Sequence, residues 1–248
     1  MKKELQPHIK CGKGDVARYV LMPGDPERVL RIRGLLDKYE EIAFNREYRT
    51  ITGTYNGVRV SACSTGIGGP STCIAIHELA NIGAEVFIRV GSCGVLVEKL
   101  RMGDIVIPSK SLCDDGTSKI YAKSKFVTPD KVVFNALMSA AKRLEIRYYT
   151  GINRSHDSFY RSDQMEIEEK FHKEGFTSED METSTLFTVG KRLDLKTGSV
   201  LNVVATFGQK PEEGIKEYAT GKEAAMAGEK KEIKVALEAV ALLEEKRA

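Results

Sequence analysis

Short runs of branched apolar residues alternate along the chain with stretches whose apolar positions recur every three or four residues, as expected where strands alternate with helices. Tyr19–Met22 is the first such run, and PGDPERV follows at once. Asp25 suits a helix cap, Pro26 the first helical position and Glu27 the first turn, which predicts a strand, a tight turn and a helix start. Glu41–Phe44, Tyr48–Tyr55 and Val58–Ser64 read as consecutive strands, the last two joined by a hairpin at Asn56-Gly57. STGIGGPS, Ser64 to Ser71, is a glycine-rich connection into a helix that reaches about Asn81. EVFIRVGSCGVL, Glu85 to Leu96, reads as a strand covered on both faces that runs into a tight turn at Gly91-Ser92-Cys93-Gly94. Further strands are predicted at Asp104–Pro108, Tyr148–Ile152 and Ser199–Thr206. Thr128-Pro129-Asp130 opens a helix with Val132, Val133, Leu137, Met138, Ala141 and Leu144 at core spacing. Glu223–Lys246 is a long amphipathic helix with Ala236, Val240 and Leu243 inward and no visible chemistry.

Some polar residues interrupt this pattern. Arg89 stands inside the most apolar strand, where a guanidinium costs several kcal/mol unless an anion meets it. Two readings are open: an internal ion pair with a Glu or Asp, or an anionic ligand at the strand's carboxyl end, met also by Ser92 and the backbone N–H groups of the following turn. Arg28 lies in a first helical turn, where the dipole disfavours a cation; either it reaches solvent or it shares an anion with the helix N-terminus. The glycines of STGIGGPS allow backbone N–H groups to approach a phosphate or sugar, and are equally compatible with a plain turn. SHDSFYRSDQ reads as a polar loop with two aromatics, suited to stacking on a flat ligand or to tucking into the core. The acids of Glu179-Asp180-Met181-Glu182 precede a helix and are accounted for by capping.

Composition narrows the class. The 248 residues can bury one large core, and 42% hydrophobic with 29% charged residues is the balance of a soluble globular protein. A net charge of +3 is too small to suggest a nucleic acid or a membrane surface as partner. Cys11, Cys63, Cys73, Cys93 and Cys113 are odd in number, without a CxxC pair or a histidine at metal spacing, and read as reduced thiols of a cytoplasmic protein. MKKELQPHIK has the lysines of a leader but no apolar stretch after them, so neither secretion nor membrane insertion is expected.

PGDPERV, FNREY, GIGGPS, RVGSCG and DMET together resemble the nucleoside phosphorylase family, in the branch that holds uridine phosphorylases and bacterial-type purine nucleoside phosphorylases. The motifs stand in the family's order and spacing, and the resemblance runs from QPHI at residues 6 to 9 into the C-terminal helix. It implies a single α/β domain over residues 1–248 whose central mixed sheet closes partly into a barrel flanked by helices. It also implies roles for residues. Gly24, Arg28, Arg89 and Ser92 match the phosphate site, joined by Arg46 from a neighbouring subunit. Met181 and Glu182 match the ribose grip, with Arg28, Arg89 and Glu182 carrying the catalysis; His8 matches a histidine lent by the neighbour to the 5′-hydroxyl, and Phe159 an aromatic beside sugar and base. The family's Glu before the Met is Asp180 here.

The implied reaction is phosphorolysis of a ribonucleoside to free base and ribose 1-phosphate, with inorganic phosphate as co-substrate and no metal or organic cofactor. The implied assembly is a homo-oligomer with the site shared across a dimer, a trimer of dimers in the family. For the base, uridine is favoured: purine members place an acid in the strand Ser199–Thr206, and Val204 aligns with it. The Gln and Arg with which uridine members read uracil are replaced, by direct counting, with Asp163 and Met165, and Arg161 and Gln164 stand nearby as alternatives. Inosine or guanosine is the second reading. A nucleosidase and a non-catalytic nucleoside binder are the competitors outside this reaction.

Overall fold

The structure, a computed structural model, describes residues 3–209, 211–219 and 223–247, so Met1 and Lys2 of the leader reading lie outside it. Its elements in chain order are β1 Tyr19–Met22, α1 Pro26–Arg33, β2 Lys38–Asn45, β3 Tyr48–Tyr55, β4 Val58–Cys63, α2 Gly69–Asn81, β5 Val86–Val95, β6 Ile105–Asp114 and α3 Gly116–Tyr121. There follow β7 Phe126–Val127, α4 Lys131–Arg143, β8 Tyr148–His156, α5 Gln164–Lys173, β9 Ser178–Asp180, α6 Thr183–Arg192, β10 Lys196–Ala205, α7 Pro211–Ala219 and α8 Glu223–Glu245.

All the strands join one mixed sheet. β2, β3 and β4 form an antiparallel meander, and β1 lies parallel between β4 and β5. Beyond β5 the sheet closes on itself through β9, β8, β6 and β10, because β10 pairs back onto β5, giving a five-stranded barrel. This is the α/β architecture with a partly closed mixed sheet that the motifs imply. β1 and the first half of β5 are wholly buried, as continuous apolar strands covered on both faces must be. The main apolar core lies between the sheet, α4 and α8, and a second lies under α2 and α6.

Local rules account for several elements. Asp25 caps α1 by accepting from Glu27 N–H at 2.9 Å, and Asp130 caps α4. Asn56 and Gly57 both take positive φ, 49° and 76°, as a two-residue hairpin turn requires. Val133, Leu137 and Ala141 of α4 are buried as expected, whereas Val132 is 47% exposed. The five cysteines are free and buried. Among the described residues, no helix is long and apolar enough to cross a membrane.

Three expectations fail for one reason, the barrel. Gly91-Ser92-Cys93-Gly94 is no turn: β5 continues to Val95, in register with Leu201–Ala205 of β10, and Gly94 pairs Glu179 of β9. Its glycines mark a strand flanked closely on both sides and not a nest of open N–H groups. β8 extends past Ile152 to His156, because Asn153, Arg154 and Ser155 find polar partners inside the barrel region, and all four residues are buried there. The acids before α6 include a short strand, β9, which pairs with β5 and β8.

Candidate active site

A cavity of about 940 Å³ opens where β1, β5, β8 and β10 deliver their carboxyl ends, the edge where open α/β sheets bind ligands. Gly24, Arg28, Arg89 and Ser92 line it together with Met181 and Glu182 and with Phe159, Gln164 and Val204. Nine of the residues singled out in the sequence are thus brought together from separate elements.

Arg89 answers the question its strand posed, and the answer is an ion pair. Its Nε donates to Asp180 Oδ2 at 2.9 Å and its Nη2 meets Glu182 Oε2 at 2.6 Å. Gly91, two residues on, makes room for this: a Cβ there would lie 2.5 Å from the guanidinium carbon. Asp180 is an anchor. It accepts from Asn153, Ser155 and Thr183 besides Arg89, and its bond to the Thr183 N–H caps α6, so capping is part of its role. Burial works against its charge, but Arg89 and these hydrogen bonds outweigh burial and hold the carboxyl below its ordinary value. Glu182 is held by Arg89 and by the Gly68 N–H, 2.6 Å from Oε1, at the start of α2. Burial first, and the charge of Asp180 after it, push Glu182 upward against the pull of Arg89. The glycine loop, with Gly66 and Gly68 at φ 68° and 93°, therefore turns an N–H onto a carboxylate of the protein.

Arg28 is likewise enclosed. It donates to Glu229 at 2.9 Å, to the Val90 carbonyl at 2.9 Å, to Ser92 Oγ at 2.9 Å and to Tyr218 Oη at 2.8 Å. Glu232 lies 3.3 Å from its Nη1, and Glu229 also pairs with Arg31. The solvent-reaching alternative for Arg28 does not hold, and α8, read as devoid of chemistry, carries the two acids. Glu232 is wholly buried with no hydrogen bond to either oxygen, and burial pushes its pKa up to about 8 although Arg28 opposes this. Of the two readings open for Arg89 the internal ion pair is the one present, and Arg28 is paired in the same way. Arg28 and Arg89 converge, but the protein's own acids already neutralise them, because a charge this deep cannot stay unpaired.

The remaining candidates divide. His8 and Arg46 are not on the cavity wall: His8 Nδ1 is bonded to Glu78 at 2.5 Å, and Arg46 is exposed at the β2–β3 turn with φ 55°. Arg161 is not on the cavity wall either; it is exposed and bonded to Asp163 at 2.9 and 2.7 Å. Gln164 does line the cavity, as the first residue of α5. Phe159 packs edge-on against Tyr160, with ring centroids 4.9 Å apart. Val204 is buried at the irregularity where β10 shifts register against β5, and offers the cavity only hydrocarbon.

Sequence reasoning missed Tyr218, Glu229, Glu232, Glu168 and Glu179. For the α8 acids a signal existed, since 229, 232, 236, 240 and 243 follow one another at helical spacing on the inward face. Glu168 follows Gln164 by one turn, but α5 was not recognised.

The phosphorylase superfamily model matches residues 18–241. The chain belongs to the phosphorylase superfamily. It is 43% identical over 254 residues to a uridine phosphorylase of Thermococcus kodakarensis, covering 97% of this chain and 87% of that protein. Among solved structures of the superfamily, a uridine phosphorylase from Vibrio fischeri superposes with a TM-score of 0.89 at 36% identity, covering 96% of this chain and 98% of that one. A purine nucleoside phosphorylase from Toxoplasma gondii superposes with a TM-score of 0.88 at 31% identity, covering 99% of both chains.

Proposed function

We propose that this phosphorylase-superfamily protein is a pentosyltransferase that cleaves uridine with inorganic phosphate to uracil and ribose 1-phosphate. The observation that carries the reading is the meeting of Arg89 and Glu182 at 2.6 Å on the wall of a cavity that also holds Arg28 and Ser92. A phosphate dianion bound between the arginines takes over Glu182's hold on Arg89. Glu182 is then free to accept the 2′- and 3′-hydroxyls, with Met181 beside the sugar. Binding of the two substrates is coupled through one ion pair. Gly24 borders the phosphate, and Arg28 and Arg89 hold it below C1′, where its charge stabilises the cationic sugar of the transition state. Each charged hydrogen bond of this kind is worth about 1.5–3 kcal/mol. The residues named supply these tasks without a metal or organic cofactor.

His8 and Arg46 act from a neighbouring subunit, so the working unit is at least a dimer, in a hexamer built as a trimer of dimers. The protein is placed in the cytoplasm, in nucleoside catabolism and salvage. Uridine is preferred because Val204 offers no proton to a purine N7, and the Thermococcus kodakarensis relative supports this. The second reading, inosine or guanosine, is favoured by the likeness to the Toxoplasma gondii enzyme. Release of free base from uridine, inosine, guanosine, adenosine and thymidine, with and without phosphate, is the deciding assay. Phosphate-dependent uracil release is expected to be fastest. Turnover indifferent to phosphate would make the protein a nucleosidase, and binding without turnover a non-catalytic binder.

A further inference from the structure

On the cavity lining, α5 places Gln164 and Glu168 one turn apart. Gln164 Nε2 donates both its protons to acidic side chains, to Glu168 Oε1 at 2.9 Å and to Glu179 Oε1 at 2.8 Å. Its Oε1 has no partner, although the side chain is only 6% exposed. A flip of the amide is disfavoured, because it would set the amide oxygen against Glu179 Oε1, at 2.8 Å, an oxygen of the carboxylate that pairs with Arg154. Glu179 is the fixed point of this arrangement, being tied at its other oxygen to Arg154 Nη1 at 2.9 Å. Glu168 has no such cation; Gln164 is its hydrogen-bond partner among the described residues, and its Oε2 takes none. A buried acceptor and an unpaired carboxyl group, side by side in a cavity, are an unmet pair of hydrogen-bonding positions.

Resting on the phosphorylase reading, we propose that Gln164 and Glu168 together read the leaving base through a cis-amide edge, Gln164 Oε1 accepting a ring N–H and the Glu168 carboxyl donating through Oε2 to the adjacent ring carbonyl. Uracil and the 6-oxopurines present that edge. Cytosine and adenine present a ring nitrogen acceptor beside an amino group, which sets acceptor against acceptor and donor against donor. As the bond to C1′ breaks, its electron pair passes to the base and spreads onto the carbonyl oxygen that Glu168 faces, so this hydrogen bond strengthens in the transition state. The proton stays on Glu168, and the departing base takes one from solvent.

Burial pushes Glu168 up to about 7. The groups facing it are Gln164 on its own helix, Arg154 on β8, Glu179 on β9 and Glu212 on α7, with His156 lying 3.8 Å from Glu179. Gln164 and Arg154 pull it down, while Glu179 and Glu212 push it further up. Arg154 is largely spent on Asp114 and Glu179.

The test compares wild type with Glu168→Gln, Glu168→Leu and Gln164→Leu, each checked for folding by thermal melting. Wild type is expected to turn over uridine with kcat/KM falling above about pH 7 and to leave cytidine untouched. Glu168→Gln keeps a donor that cannot ionise, so it is expected to keep most of the activity and lose that alkaline fall. Glu168→Leu and Gln164→Leu are expected to lose about tenfold or more in kcat/KM for uridine. The proposal is overturned if Glu168→Leu matches wild type, if Glu168→Gln retains the alkaline fall, or if cytidine is cleaved as well as uridine. If wild type shows no phosphate-dependent turnover at all, the phosphorylase reading fails separately. Calorimetric binding of free uracil and cytosine then decides: weaker uracil binding by Glu168→Leu supports the pair, and equal binding of both bases, or of neither, overturns it.

Discussion

Arg89→Ala removes the cation that both Asp180 and Glu182 rest against. Asp180 keeps its hydrogen bonds from Asn153, Ser155 and Thr183, so most of the cost falls on Glu182, which keeps the Gly68 N–H. Breaking a buried ion pair by removing one partner costs about 3–5 kcal/mol, and the lower figure applies because Glu182 can take up a proton. For a chain of this size about 3 kcal/mol corresponds to a fall in Tm of about 6–12 °C at pH 7. The fall should shrink toward pH 5, since acid protonates the uncompensated carboxyl; a second substitution, Glu182→Ala, should recover part of it. Differential scanning calorimetry of wild type, single and double variants at both pH values reads all three. Turnover with uridine should be lost in the same variant, because the phosphate loses a ligand. A variant that melts within about 2 °C of wild type at pH 7 would refute the claim that Arg89 holds these acids in place.

Three further outcomes are expected. Gly91→Ala puts a Cβ 2.5 Å from the Arg89 guanidinium, which must swing away; kcat/KM should fall at least about tenfold and Tm should fall toward that of Arg89→Ala, and an unchanged kcat/KM would count against the position of Arg89. Glu232, raised from an ordinary 4.5 to about 8, holds its proton in the folded state across a window where the unfolded chain has lost it. Its contribution to stability is complete below that window and declines as pH rises through it, at most by about 1.4 kcal/mol per pH unit. Glu232→Gln should therefore gain on wild type in melting temperature between pH 5 and pH 8, and a pH-independent difference would contradict this. Mixing inactive Arg46→Ala with inactive Glu182→Ala should restore about a quarter of wild-type activity if each site takes Arg46 from a partner, since random dimers then contain one intact site in four; no recovery after subunit exchange would remove Arg46 from the site.

The helix starts at Asp25 and Asp130 and the hairpin at Asn56-Gly57 were legible because they depend on neighbours within a few residues. Arg89 was legible as an anomaly, since an apolar strand makes any guanidinium within it conspicuous. What it meets was not, because Asp180 lies on a strand distant in sequence that pairs into the barrel. GSCG looked like a turn for the same reason: glycine reports only that something comes close. The polar run after Ile152 read as loop because its satisfaction comes from Asp114, Glu179 and Asp180, groups far along the chain. Arg161 and Gln164 were equal candidates beside the base until α5 turned Gln164 inward and left Arg161 to Asp163 in solvent.

The order of residues alone determined which elements form, which family the chain belongs to and which side chains must come together, because periodicity, capping and motif spacing are local properties. Barrel closure and the docking of α8 decided how those side chains are neutralised. The compensation of a buried charge depends on distances between segments that only folding brings within a few ångströms, and here it set Glu229 against Arg28 and Asp180 and Glu182 against Arg89.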